Sequence, residues 1–545
     1  MHLPPPANLR QASLRLTPRS RLIETVAQWA ACGLLLVGLG IILVMLSKWP
    51  LYTDEVQWKA LSARVFLDNL KLNYLFPACP AGRVLPMPLT WWPSRVLDAV
   101  LYADASSPAR VRYFGIATFL TLMAGTAWIA KNAMPAVHLV AIVVGLLAAT
   151  SFGVLIPLLV LNRPEQGILT AAIPMLAIFS LVMGKKWQPT PAASWILCVA
   201  FVVCTWLMLG AHIKSFVLLP AVVFAAFVAI RRTAPFTIFA LLASLCFAET
   251  YLLWQARTDC PEVAHLTQVF SNLSVSPKMA LANPLGFANR LLLNLIDASS
   301  YVRSGFISTE YQSSWLPSST DIPLPSTFSN AALAASIIVA VFYSGGRAVA
   351  SLRREIQQST IMCALLLLAA IGLTSYQITK NFYELSLLAP LIILAVIFSL
   401  SGSRMKSIRI DPRWGSAVLG LFGCICQSAL IMHLLPMTAA WDSRASELSV
   451  SLPELHALGQ SCGIGATHDQ RGLVVDDEAY SAYWPTSDPI FSPYFYGWWA
   501  TGVDYREVVD NLKLDGMIAH CSAMPEEYRA SSSLSSSGRF CCHQF

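Results

Sequence analysis

The sequence predicts an all-α polytopic membrane protein with a small α/β domain at its C-terminus. Three observations carry that expectation. Of the 545 residues, 56% are hydrophobic and only 12% are charged, and the apolar residues fall into long runs. Soluble domains carry about 25% charged residues, so this chain cannot coat a water-soluble surface of its own size. Intrinsic disorder is excluded as well, because it needs low hydrophobicity and high charge. The net charge of +7 is unevenly divided: from Pro436 onward fourteen acids face six bases, which leaves the remainder at +15. A basic membrane portion followed by an acidic soluble tail explains the split. The bases lie in short clusters between apolar runs, which argues against a nucleic-acid partner.

A spanning helix needs about 20 apolar residues. The run Gln28 to Ser47 is uncharged and follows Arg10, Arg15, Arg19 and Arg21. The positive-inside rule therefore places residues 1–27 in the cytoplasm. The apolar run is too long for a signal peptide, and no small-residue cleavage site follows it. Further spans are expected near 113–130, 135–156, 167–184, 192–211, 214–230, 235–254, 329–346, 359–376, 385–402 and 414–436, making eleven in all. With that count Lys131, Lys185 and Lys186, Arg231 and Arg232, Arg347, Arg353 and Arg354, and the cluster Arg404, Lys406, Arg409 and Arg413 all fall on one side. The stretch Met134 to Leu161 is long enough for two crossings, but splitting it would invert every later cluster. One crossing ending in an interfacial segment near Pro157 is therefore expected.

The membrane portion is thus 28–436, with extracytoplasmic loops 48–112 and 255–328, and an extracytoplasmic α/β tail over 437–545. In the first loop Val56, Ala60, Ala63, Leu67 and Leu70 have the spacing of a helix lying on the membrane surface. Trp91, Trp92 and Pro93 read as an interfacial anchor, and a similar surface stretch runs from Pro284 to Ile296. In the tail, Leu473-Val474-Val475 and Gly516-Met517-Ile518-Ala519 read as strands. Tyr505 to Leu512 reads as a helix, and Ser531 to Gly538 as a serine-rich loop. Seven of the 13 cysteines fall inside spans. Six lie outside, at Cys79, Cys260, Cys462, Cys521, Cys541 and Cys542. Disulfides are permitted there, in any of 15 pairings.

Charges near the outer membrane face are expensive to keep. Asp54 and Glu55 follow the first span closely. Asp54 also suits an N-cap of the surface helix, with Glu55 paired to Lys59. Arg163-Pro164-Glu165 opens the span beginning near Gly167, and it too has the form of a helix start. Lys380, Tyr383 and Glu384 stand at the outer end of the ninth span, where a lysine breaks the positive-inside trend. Snorkelling accounts for Lys380 equally well. His212 and Lys214 sit in a short outer link. Carboxylates accept a proton from a hydroxyl or hold a divalent metal, and cations neutralise a departing phosphate. Together these groups form a candidate outward-facing pocket for transfer with a phosphate leaving group.

This arrangement resembles the GT-C superfamily of integral membrane glycosyltransferases, among them protein O-mannosyltransferases and lipid A aminoarabinose transferases. Asp54 and Glu55 match its acidic pair after the first span. Arg163-Pro164-Glu165 matches its second-loop element, and Lys380 to Glu384 its late basic and aromatic segment. The resemblance implies a polyprenyl-phosphate-linked sugar as donor and a lipid, glycan or protein acceptor, with inversion at the anomeric carbon. It implies a bacterial inner membrane location. Asp54 and Glu55 would be catalytic, with Asp54 as general base. Alternatively Asp54 would share a divalent cation (Mg or Mn) with Glu165. Lys380 and Arg163 would hold the lipid phosphate, and Glu165, Tyr383, Glu384, His212 and Lys214 would line the pocket. Three other classes stay open: a glycan ligase using a polyprenyl-diphosphate donor, kept by Arg163, Arg257, Arg290, Arg303 and His212, a lipid or solute transporter, and a non-catalytic scaffold whose tail binds a partner. The transporter reading lacks a two-fold repeat, and its one clear mid-span charge is Glu249.

Overall fold

The computed structural model describes residues 18–49, 108–184, 186–258, 274–275, 278–299, 324–352, 357–378, 382–401, 412–464, 473–476, 514–524, 526–529 and 534–545, with isolated positions elsewhere. Every expected span is a helix. Among the described residues nine helices are long and apolar enough to cross a membrane, and Leu139–Thr150 and Leu385–Ser401 are shorter apolar helices. The protein is a multi-pass membrane protein. The surface helix expected at Val56–Leu70 lies outside the described residues, as do Asp54, Glu55 and Lys380.

Helix α1 (Pro18–Leu46) packs along α14 (Pro412–Ser461) and α3 (Leu139–Thr150). Lipid gives helices no hydrophobic reason to associate, so polar contacts and close approach hold them together. Gln28 Nε2 donates to Ser416 Oγ at 2.7 Å, and Gln427 Nε2 donates to the Leu35 carbonyl at 3.1 Å. Helix α14 does not stop at the membrane. It is continuous for 50 residues, across the expected domain boundary at 437, and carries the tail on its end.

Two expectations for the connections are corrected. After α3 the chain turns through Gly153, at φ +57°, into the short α4 (Leu155–Val160). All six residues of α4 are buried among the other helices, so the stretch around Pro157 is internal and not interfacial. It lies there because α2 (Pro108–Ala133) presents Gly115, where a Cβ would collide with the Val160 carbonyl oxygen. The sixth span begins as a 3-10 turn, Ile213–Leu218, before α7 (Leu219–Ile230). The surface helix expected at Pro284–Ile296 is α10, with Leu285, Leu292 and Ile296 exposed. Its opposite face is pinned by Asn294, whose Nδ2 donates to the Ser375 carbonyl at 2.8 Å.

The first strands, β1 (Lys71–Leu72) and β2 (Leu85–Pro86), form an antiparallel pair, and the tail contains a five-stranded sheet. Strands β3 (Leu473–Val475), β4 (Ile490–Phe491) and β5 (Gly516–His520) are parallel. Strands β6 (Leu534–Ser537) and β7 (Phe540–Gln544) add antiparallel neighbours, giving the order β4-β3-β5-β7-β6. The serine-rich stretch is therefore not a loop. Gly538, at φ +59°, turns it into a hairpin edge against β7, where Ser536 is exposed. Of the expected helix Tyr505–Leu512 only Val509 is described, and it is helical.

Strand alternation separates two cores. Val475, Ile518 and Cys542 face Leu455 and Leu458 of α14 and Val111 of α2, which seats the tail on the outer end of the bundle. Val474, Met517 and Cys541 face Leu514 and Tyr528 on the other side. Because adjacent strand residues point oppositely, Cys542 bonds Cys462 on one face and Cys541 bonds Cys521 on the other. The seven cysteines inside spans form no disulfide.

Candidate functional site

The site forms where the ends of several spans meet, at the end of the bundle that the sequence expects to face outward, opposite Lys131 and Lys186. Helix α5 (Pro164–Met183) opens with Arg163 as its N-cap and proline at its first position. Gln166 completes the start. Its Oε1 accepts from the Arg163 backbone N–H at 3.0 Å, and its Nε2 donates to the Leu158 carbonyl at 2.7 Å. Glu165 falls in the first turn, where the helix dipole favours an acid. The capping reading of this motif thus holds, and the cap positions the charge.

Glu165 is only 1% exposed, and cations engage both its oxygens. Lys214 Nζ donates to Oε1 at 2.6 Å, and Arg163 Nε donates to Oε2 at 3.3 Å. Lys214 also lies 3.4 Å from Glu384 Oε1, so one ammonium bridges two buried carboxylates. Tyr383 lies against both cations, its ring 3.6 Å from the Arg163 guanidinium carbon and 5.1 Å from Lys214 Nζ. A planar guanidinium stacked on an aromatic face is held in one plane. His212 contributes through its backbone and ring. It is extended at the end of α6 (Pro191–Ala211), and its Nδ1 accepts the Lys214 N–H at 3.1 Å. That bond sets the turn from which Lys214 projects.

Six of the nine residues singled out from the sequence therefore meet in one cluster: Arg163, Glu165, His212, Lys214, Tyr383 and Glu384. Lys380, four positions before Glu384, lies outside the described residues. Asp54 and Glu55 follow Trp49, the last described residue at the outer end of α1. Arg112 was missed. It is fully buried at the start of α2, its Nε donates to the Trp49 carbonyl at 3.0 Å, and its guanidinium lies 4.8 Å from the Trp49 ring centre. The signal was available, since Arg110 and Arg112 break the positive-inside trend just as Lys380 does. Arg112 ties the chain leading to Asp54 onto the outer end of α2.

The divalent cation expected between Asp54 and Glu165 does not suit these surroundings. Glu165 already faces an ammonium and a guanidinium, and a metal would have to displace Lys214. Among the described residues no group of three or more His, Cys, Asp or Glu could hold a metal. The cluster's chemistry is that of positioned cations whose counter-charges lie beneath them.

No protein-family description and no curated protein matches the chain. Among solved structures it is similar to ArnT from Cupriavidus metallidurans bound to undecaprenyl phosphate, at 12% identity and TM-score 0.47, over 93% of this chain and 97% of that one. It is also similar to the oligosaccharyltransferase of Archaeoglobus fulgidus tethered with an acceptor peptide, at 10% identity and TM-score 0.45, over 91% and 69% of the two chains. The same organism's AglB, in complex with an inhibitory peptide and a dolichol-phosphate, gives 10% identity and TM-score 0.43, over 91% and 70%. A likeness of this depth assigns neither family nor activity, and the side chains must carry the functional reading.

Proposed function

We propose that the protein is a membrane glycosyltransferase of GT-C type. It would transfer a sugar from a polyprenyl-phosphate donor to an acceptor hydroxyl on the extracytoplasmic face, with inversion. The observation that supports this reading most is the bridge of Lys214 between Glu165 and Glu384, with Arg163 stacked on Tyr383 beside it. Cations held in place at the membrane's edge suit a phosphate whose lipid tail stays in the bilayer. They also suit the charge that develops on that phosphate as it leaves.

In this scheme the acceptor oxygen bonds the anomeric carbon while the bond from that carbon to the phosphate oxygen breaks. Asp54 takes the acceptor's proton, and the polyprenyl phosphate departs toward Lys214 and Arg163. Glu165 and Glu384 orient Lys214 and hold it close to the reacting phosphate. Lys380 lies close in sequence to Glu384 and would add a further cation. The test is consumption of a labelled polyprenyl-phosphate sugar by purified protein. Asp54→Asn and Lys214→Met should each slow it at least tenfold, and wild-type rates in both variants would reject the scheme.

The presence of Arg163 and His212 in one cluster favours a second reading, a ligase with a polyprenyl-diphosphate donor. The same assay with the diphosphate donor separates the two.

A further inference from the structure

An apolar cavity of about 430 Å³ lies away from the charged cluster, with Ala141 and Gly145 of α3, Ala340 of α11 (Leu324–Leu352), and Ile393 and Leu400 of α13 (Leu385–Ser401) in its lining. It follows α13 from Ala389 to Leu400, roughly 16 Å at about 1.5 Å per residue. The cavity exists because Ala141, Gly145 and Ala149 recur every fourth residue on α3 and offer little volume toward α11. Such faces ordinarily let membrane helices close on each other. Here α3 and α11 both pack on α14, and the space between them remains.

The cavity face of α11 runs through Leu333, Ser336, Ile337 and Ala340. Continued at helical spacing it reaches Ser344 and Arg347, one seven-residue step beyond Ala340. Arg347 is half-buried, and its Nε is buried with no hydrogen-bond partner. Its guanidinium carbon lies 5.9 Å from the Tyr343 ring centre, and among the described residues no carboxylate pairs with it. Arg347 directly follows the expected span 329–346, at the level where an arginine reaches lipid headgroups. Arg347 stands toward the end of the bundle expected to face the cytoplasm, a full span from Arg163 and Lys214. One phosphate cannot occupy both ends, so this position is not served by a donor bound at the outer cluster.

We propose that the cavity seats one acyl chain of an anionic glycerophospholipid from the inner leaflet, with its phosphate on Arg347. The chain fills a slot with an almost wholly apolar lining and the length of a short acyl tail. Arg347 favours a headgroup with net negative charge, because among the described residues no carboxylate pairs with it.

The test uses full-length protein in nanodiscs of phosphatidylcholine with a minor share of phosphatidylglycerol, followed by native mass spectrometry of the lipids retained on extraction. Wild type should retain phosphatidylglycerol in preference to phosphatidylcholine. Arg347→Gln should lower that retention about tenfold, the loss of one charge-assisted hydrogen bond. Ala340→Phe should abolish it by filling the slot, and Gly145→Val serves if that variant fails to fold. Equal retention of the two lipids by wild type would overturn the proposal, as would unchanged retention in Arg347→Gln. Retention of a polyprenyl phosphate in place of the phospholipid would also overturn it.

Discussion

Lys214 meets Glu165 at 2.6 Å across 49 residues of sequence, and the contact joins the outer ends of two neighbouring spans. Both side chains are nearly inaccessible and draw their counter-charges from buried partners, Glu165 from Lys214 and Arg163, and Lys214 from Glu165 and Glu384. Breaking such a pair strands a buried charge, which costs about 3–5 kcal/mol. Lys214→Met should therefore destabilise the protein by that order and slow donor consumption about a hundredfold. Adding Glu165→Gln should recover part of the stability, since Glu384 and Arg163 keep their charges, and none of the rate. Thermal unfolding and donor consumption on the two single variants and the double variant separate structure from catalysis. Recovery of the rate together with the stability would make the pair purely structural.

Gly115 lies against the Val160 carbonyl, three residues before Arg163. Backbone cannot yield as a flexible side chain does, so Gly115→Ala must push α4 aside. A destabilisation of about 1–3 kcal/mol is expected. The rate should fall as well, although Gly115 touches no site residue. An unaltered rate would mean that α4 does not position Arg163.

Peptide mapping without reduction should recover Cys462 linked to Cys542 and Cys521 linked to Cys541. The first bridge spans 80 residues and the second 20. Chain entropy makes the longer loop the more stabilising, at about 4 against about 3 kcal/mol. Cys462→Ser should accordingly lower the melting temperature more than Cys521→Ser does.

His543 stacks on Tyr528, with ring centres 4.7 Å apart, and burial holds its pKa below the ordinary histidine value of 6.5. The unfolded chain then binds the proton more readily than the folded one. The stabilising difference is complete above pH 6.5 and is lost as pH falls below it. Protection factors of the amides in β5 and β7, which take out the intrinsic pH dependence of exchange, should fall from pH 7 toward pH 5, and His543→Phe should remove that fall. Protection that is flat across this range in wild type would contradict the assignment.

Hydropathy and basic clusters were enough to find every span, because a bilayer imposes one length and one sidedness rule on all of them. The α10 surface helix was legible for the same reason, as were the strands Leu473–Val475 and Gly516–His520, whose apolar runs are local signals. The hairpin of Leu534–Ser537 was not legible, because its serines belong to a strand only through pairing with Phe540–Gln544. Cysteine pairing was likewise open until adjacent Cys541 and Cys542 were seen to point to opposite faces of one strand.

By itself the sequence located the apolar helical spans and named six of the residues that come together. Those properties depend on the solvent each segment must satisfy. Only tertiary structure decided that Lys214 would serve two carboxylates, that Arg163 would stack on Tyr383, and that α4 would be internal. Contacts between segments far apart in sequence depend on shape, and a space such as the one left by Gly115 can be judged only when its neighbour is in place.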